Sequence, residues 1–205
     1  MVLSLQGVVA QVSLADLKFG TYFSISIVTG IAAMLGVLIA GPVSGGHLNP
    51  SVTLAFVVFR GLSPMKAVLY FLGQVRGCDW AYQMITNDLQ MLGGFTGAAI
   101  VYGNYRSAID NVEGFNVRTH KTAIIFSTYP QLFLTRTGQF FSEFVATAML
   151  IVGIFAIFNP RNPPTVQHMA PLWIFLLILN IGAALGWETG YAMNMARDFA
   201  PRCFA

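Results

Sequence analysis

The chain has 205 residues, of which 56% are apolar and only 9% carry a charge, against about 25% charged in an ordinary soluble domain. Its mean hydropathy is +0.66 and its apolar residues fall in long blocks, which excludes a soluble enzyme and a disordered chain. The net charge of +3 is scattered rather than clustered as nucleic-acid binding requires, and Cys78 and Cys203 form neither a disulfide framework nor a zinc spacing.

A helix needs about 20 predominantly apolar residues to cross the hydrocarbon core. Residues 1–11 are apolar but too short, and they lack a basic leader and a clear cleavage site. They are expected to be the tail of a helix whose beginning is missing. Residues 22–43 form an uncharged span. After a glycine-rich turn comes Asn49-Pro50, an N-cap followed by a proline whose missing amide hydrogen would be unpaired anyway. The apolar stretch 51–60 then measures about 15 Å as a helix, half a bilayer. Residues 67–74 and 92–105 are membrane-like, but Arg76, Asp79, Asn87 and Asp88 lie between them, so an interrupted span is predicted. The segment 103–137 is long and polar, and long loops translocate regardless of charge, so basic-residue counts give no orientation. Residues 140–158 form a span with one acid, Glu143, and residues 170–187 form an uncharged one.

The two halves resemble each other weakly. Ile31-Ala-Ala-Met-Leu-Gly36 matches Ile181-Gly-Ala-Ala-Leu-Gly186, and each is followed by a glycine four residues before an asparagine, Gly45 before Asn49 and Gly190 before Asn194. A lone Asn-Pro is usually a plain turn, and this chain has two more at Asn159 and Asn162. Interrupted apolar segments at matching positions of two repeats point instead to a transport site. A half-span is tolerable at membrane depth only when buried in protein or lining water. Two of them entering from opposite faces would aim their positive ends at one point. There Asn49 and Asn194 would offer donors to a neutral solute, and the carbonyls of Gly46, His47 and Leu48 would offer acceptors.

Ser44-Gly-Gly-His-Leu-Asn-Pro-Ser-Val-Thr-Leu54 and Gly190-Tyr-Ala-Met-Asn-Met-Ala-Arg-Asp-Phe-Ala-Pro-Arg202 resemble the two signature loops of the major intrinsic protein family, the aquaporins and aquaglyceroporins. Asp198 after Arg197, and the stretch from Tyr102 to Asp110 through Ser127-Thr-Tyr-Pro130, are similar to the aquaglyceroporin branch. The resemblance implies an all-α membrane protein, an aquaporin-like inverted repeat with two re-entrant half-helices. It implies a passive pore for glycerol, other small neutral solutes and water, four to a homotetramer in the lipid bilayer, with the plasma membrane as the expected location. It implies no enzyme activity, no cofactor, no metal and no nucleic-acid partner. Arg197, Tyr191, Gly182 and Thr29 fall at the filter positions. Arg197 would bond solute hydroxyls and repel cations, Tyr191 would form an apolar wall and Gly182 would leave room for a carbon backbone. Glu143 matches the glutamate that accepts amide hydrogens from the second loop, and a lone acid in a span is expected to face the bundle interior. His47 matches the histidine beside the pore, and Leu48 and Asp198 are grouped with it as lining and support.

The chain departs from the family pattern at several places. Ser51 stands where alanine is usual, and Met195 replaces a proline, with the half-helix expected to survive because methionine has good helix propensity. Thr29 stands where a large aromatic is usual, which implies a wider or more polar constriction. Residues 1–205 read as one partial domain lacking most of the first span and all of the sixth, so the alternative to a channel is a non-conducting fragment that assembles with full-length relatives. Residues 75–90 read as a non-native insertion in the third span. Removing them joins Phe71-Leu-Gly-Gln74 to Met91 and leaves one continuous span, and the flanking codons can encode splice signals, so translated intron sequence is expected.

Overall fold

The computed structural model describes residues 1–62 and 80–204, and helix is the only regular structure among them. In chain order the helices are α1 (Val2–Leu14), α2 (Tyr22–Ser44), α3 (Pro50–Arg60), α4 (Trp80–Glu113), α5 (His120–Ala123), α6 (Arg136–Ile157), α7 (Pro164–His168), α8 (Ala170–Thr189) and α9 (Met195–Phe204). By length and composition α2, α6 and α8 can each cross a membrane.

Local chemistry sets the ends of these elements. A capping box opens α2, with the Thr21 amide donating to Ser24 Oγ at 3.1 Å, and Gly45 closes it in the left-handed region. Asn49 caps α3 by accepting from the Ser51 amide at 2.8 Å, with Pro50 at the first position. Thr135 opens α6 four residues before the predicted start by accepting from Gly138, and Gly190 ends α8. The predicted half-helix is therefore present as α3, 11 residues long. The predicted tail of a first helix corresponds to α1, 13 residues long.

Across the described part of the interrupted span the chain is continuous, while residues 67–74 lie outside the described residues. From Trp80 the chain runs as one helix of 34 residues through Asn87 and Asp88 to Glu113. Residues 80–90 contain neither glycine nor proline, so nothing there stops a helix that the apolar stretch behind it already propagates. Residues 75–79 of the expected insertion lie outside the described residues.

The helices approach closely where a side chain is missing. α2 packs along α8, and a β-carbon on Gly30 would lie 2.8 Å from both the carbonyl oxygen and the ring of Phe175. α4 packs on α1 and α9, and a β-carbon on Gly94 would lie 2.7 Å from the Ala196 carbonyl oxygen. The two short helices leave the middle of the fold in opposite directions. α3 runs toward the C-terminal end of α6, where Arg60 Nη2 donates to Phe155 O at 2.9 Å. α9 runs toward the segment before α6, where Arg202 Nη2 donates to Thr128 O at 2.7 Å. Between them a core cluster of Val52, Ala146, Leu150, Ile154, Ile181, Tyr191 and Met193 ties α3, α6, α8 and the second loop together.

Substituting Gly30→Ala should overpack the α2–α8 contact and cost roughly 1–3 kcal/mol, read as a lower thermal midpoint of the purified protein in detergent. Gly7→Ala, with nothing within 4 Å of the added carbon, should leave that midpoint unchanged or raise it.

Candidate functional site

The loops that precede α3 and α9 share one backbone path. Gly45 and Gly190 have φ of +77° and +82°, Gly46 and Tyr191 have +63° and +41°, and Leu48 and Met193 have +51° and +44°. Glycine takes such angles without penalty, but a non-glycine residue there costs of order 1–3 kcal/mol and needs outside support. The support is reciprocal. Asn49 Nδ2 donates to Met193 O at 3.0 Å, and Asn194 Nδ2 donates to Leu48 O at 2.7 Å. The left-handed turn at each of these residues aims its carbonyl at the other loop. Meanwhile each asparagine oxygen caps its own helix, Asn49 Oδ1 accepting from Ser51 and Asn194 Oδ1 from Ala196 and Arg197. Each carboxamide has a second N–H, with no further acceptor among the described residues.

Partly buried charge braces the second loop. Glu143 projects from α6 and accepts the amide hydrogens of Ala192 and Met193, one on each oxygen, both at 3.0 Å. Such charge-assisted bonds are about twice as strong as neutral ones. Asp198 performs a similar task one turn into α9. Its Oδ1 accepts from the amide and hydroxyl of Thr128 at 2.7 and 2.9 Å, and its Oδ2 accepts from Arg202 at 3.0 Å. The first loop is steadied by His47, whose Nδ1 lies 3.1 Å from Thr53 Oγ1 and whose ring stacks on Phe56 at 4.8 Å. The Thr53 hydroxyl donates to Asn49 O, so Nδ1 is the donor to Thr53.

A cavity of about 230 Å³ follows the junction. Thr29, Tyr191 and Arg197 line one end, and His47, Leu48, Asn49 and Asn194 line the middle. Ala33 and Val37 continue it along α2, while Val52, Leu150, Ile154 and Ile178 make an apolar wall. The Arg197 side chain is only 11% exposed, and its Nη1 lies 3.5 Å from Asp198 Oδ1. Of the filter positions, Gly182 is not on the cavity wall. A β-carbon there would lie 2.8 Å from Tyr191 Cζ, so the Tyr191 ring fills the room that the glycine leaves. Thr29 does reach the cavity, but its hydroxyl donates to Ile25 O at 2.8 Å, within its own helix.

Three participants escaped the sequence. The Met193 carbonyl is the counterpart of Leu48, and the repeat alignment would have found it. Thr128, which cradles Asp198, gives no local signal. Tyr22 bonds Gly182 O, and its position four and seven residues before Ser26 and Thr29 places all three on one helix face. Among the described residues no cluster of His, Cys, Asp or Glu could hold a metal ion.

Four similarities bear on this arrangement. A sequence model of the family described as Major intrinsic protein matches residues 1–87 and 82–205. The probable aquaglyceroporin-2 of Gibberella zeae is 49% identical over 201 residues, covering 96% of this chain and 54% of that protein. Aquaglyceroporin-9 of Botryotinia fuckeliana is 46% identical over 201 residues, covering 96% of this chain and 40% of that one. The chain thus spans about half the length of the curated relatives it matches. The crystal structure of the aquaglyceroporin from Plasmodium falciparum superposes with a TM-score of 0.73 over 98% of this chain and 75% of that one, at 24% identity, and the two share a fold.

Replacing Glu143→Gln puts an amide NH2 against one of the two loop amides and leaves that donor unpaired, a cost of about 1–3 kcal/mol. The thermal midpoint in detergent should fall accordingly. An unchanged midpoint would mean that the second loop holds its shape without the carboxylate.

Proposed function

Since this chain belongs to the major intrinsic protein family, we propose that it forms a passive channel through which glycerol, other small neutral solutes and water diffuse down their gradients. The observation that carries this reading is the paired asparagines, bound to each other's loops and lining one cavity at the junction of two helix N-termini. A solute there gives up part of its hydration shell against the apolar wall and replaces it with bonds to the free carboxamide hydrogens. Arg197 adds donors for solute hydroxyls and, together with the two helix ends, repels cations and protons. Asp198 and Glu143 brace the start of α9 and the loop before it. Glu143 accepts two amide hydrogens already, which suits a brace rather than a proton relay and favours diffusion over coupled transport. The relatives' names support the solute class, and the plasma membrane and a homotetramer with one pore per copy complete the reading.

Shrinkage and reswelling of proteoliposomes in a glycerol gradient tests it. Glycerol permeability should exceed that of empty vesicles. Permeability no higher than empty vesicles, from folded protein, would favour a non-conducting chain that assembles with longer relatives.

Residues 75–90 are best read as translated intron sequence. Their removal joins two membrane-like stretches, and the family match divides at residues 82–87, inside the segment. Sequencing the transcript decides this. A spliced message lacking these codons is the expected result, and a message that always retains them removes the proposal.

A further inference from the structure

Outside the Arg197 end of the cavity, on the face of α2 that carries Thr29 into it, stands an aromatic side chain that is neither a motif residue nor a lining one. Tyr22 is the first residue of α2, and its phenol reaches across to α8. Its Oη donates to Gly182 O at 3.4 Å, and a β-carbon built on Gly186 would lie only 1.9 Å from the same oxygen. Gly182 and Gly186 are one turn apart, and the Tyr191 ring lies against both. The Tyr22 hydroxyl therefore sits in the angle between the glycine face of α8 and the Tyr191 ring, within electrostatic reach of Arg197. Thr29 lies seven residues further along α2, two turns deeper, or about 10 Å. At its depth α2 presents a small side chain whose hydroxyl is bonded to its own helix. The bulk on the α2 side of this mouth is the Tyr22 ring.

We propose that Tyr22 is the specificity-determining residue of this mouth, its ring setting the largest solute that reaches Arg197. The inference rests on the channel reading and names the side chain that limits solute size. Two features suit the role. Tyr22 is 43% exposed against 7% for Thr29, so its ring is not locked by packing as the residues deeper on the same face are. Its bond to Gly182 is at the long, weak end of hydrogen bonding. A phenol held by so weak a bond can swing aside for a short polyol, whereas a longer one meets the ring. Tyr191 cannot yield in the same way, because it is buried against the α8 glycines.

Thiol labelling of the full chain in detergent tests the proposal without requiring conduction. In a Cys78→Ser, Cys203→Ser background, Thr29→Cys reports access past Tyr22, and Val37→Cys reports the far part of the same cavity. The reagent is a neutral methanethiosulfonate bulkier than glycerol. Adding Tyr22→Ala or Tyr22→Ser should speed labelling at Thr29→Cys by about tenfold, as loss of one modest barrier predicts, while Tyr22→Phe, which keeps the ring, changes it less. Labelling at Val37→Cys should not respond. Equal rates at Thr29→Cys with and without the Tyr22 ring overturn the proposal, as does an equal rise at Val37→Cys, which would mean general loosening. In proteoliposomes the same Tyr22 substitutions should raise erythritol permeability relative to glycerol. Absence of glycerol flux through the unsubstituted chain would count against the channel reading alone, and the labelling result would still decide the role of Tyr22.

Discussion

The exchange of hydrogen bonds between Asn49 and Met193 O and between Asn194 and Leu48 O is the contact on which the rest of the structure depends. A helix that starts in the middle of a membrane exposes amide hydrogens with no water to receive them. Each asparagine oxygen takes up hydrogens of its own helix, and each nitrogen fastens that helix to the opposite loop. Neither half-helix could hold its start at that depth without the other. The strained turns at Leu48 and Met193 follow from the same requirement, since only those turns point the two carbonyls across the junction.

Charge is distributed around this contact by function. Glu143 and Asp198 are each bonded to backbone amides, and both hold the second half of the repeat in shape. Arg197 makes only a long contact with Asp198 and lines the cavity. A guanidinium has five donors and no acceptor, so a cationic group with donors to offer faces the cavity while the anionic groups are engaged in its surroundings. The first loop has no comparable acid among its described contacts and is steadied by His47, Thr53 and the stack on Phe56. The repeat is thus symmetric in backbone and asymmetric in its supports.

Space is distributed by exchange between glycine and aromatic residues. On α8 the missing side chains of Gly182 and Gly186 admit the rings of Tyr191 and Tyr22. On α2 the missing side chain of Gly30 admits Phe175. Interiors are packed nearly as densely as organic crystals, so a vacancy at one position is occupied from another. This is why the room at Gly182, expected from its motif position to take a solute's carbon backbone, holds the Tyr191 ring.

What the sequence determined by itself is what depends on neighbours along the chain. The existence of α2, α6 and α8 as spans, the half-length of α3, the cap at Asn49 and the glycine turns at Gly45 and Gly190 all follow from local propensity and local hydrogen bonds. The survival of α9 with Met195 in place of proline follows in the same way. Helical continuity from Trp80 is local as well, since residues 80–90 hold neither glycine nor proline, although their polar side chains break the apolar pattern. Only the tertiary structure decided which carbonyl each asparagine meets, that Thr128 cradles Asp198, and that Tyr22 crosses to Gly182. These partners are 144, 146, 70 and 160 residues apart. Contacts at such separations depend on how whole helices pack, and packing depends on the summed shape of many side chains rather than on any short run of them.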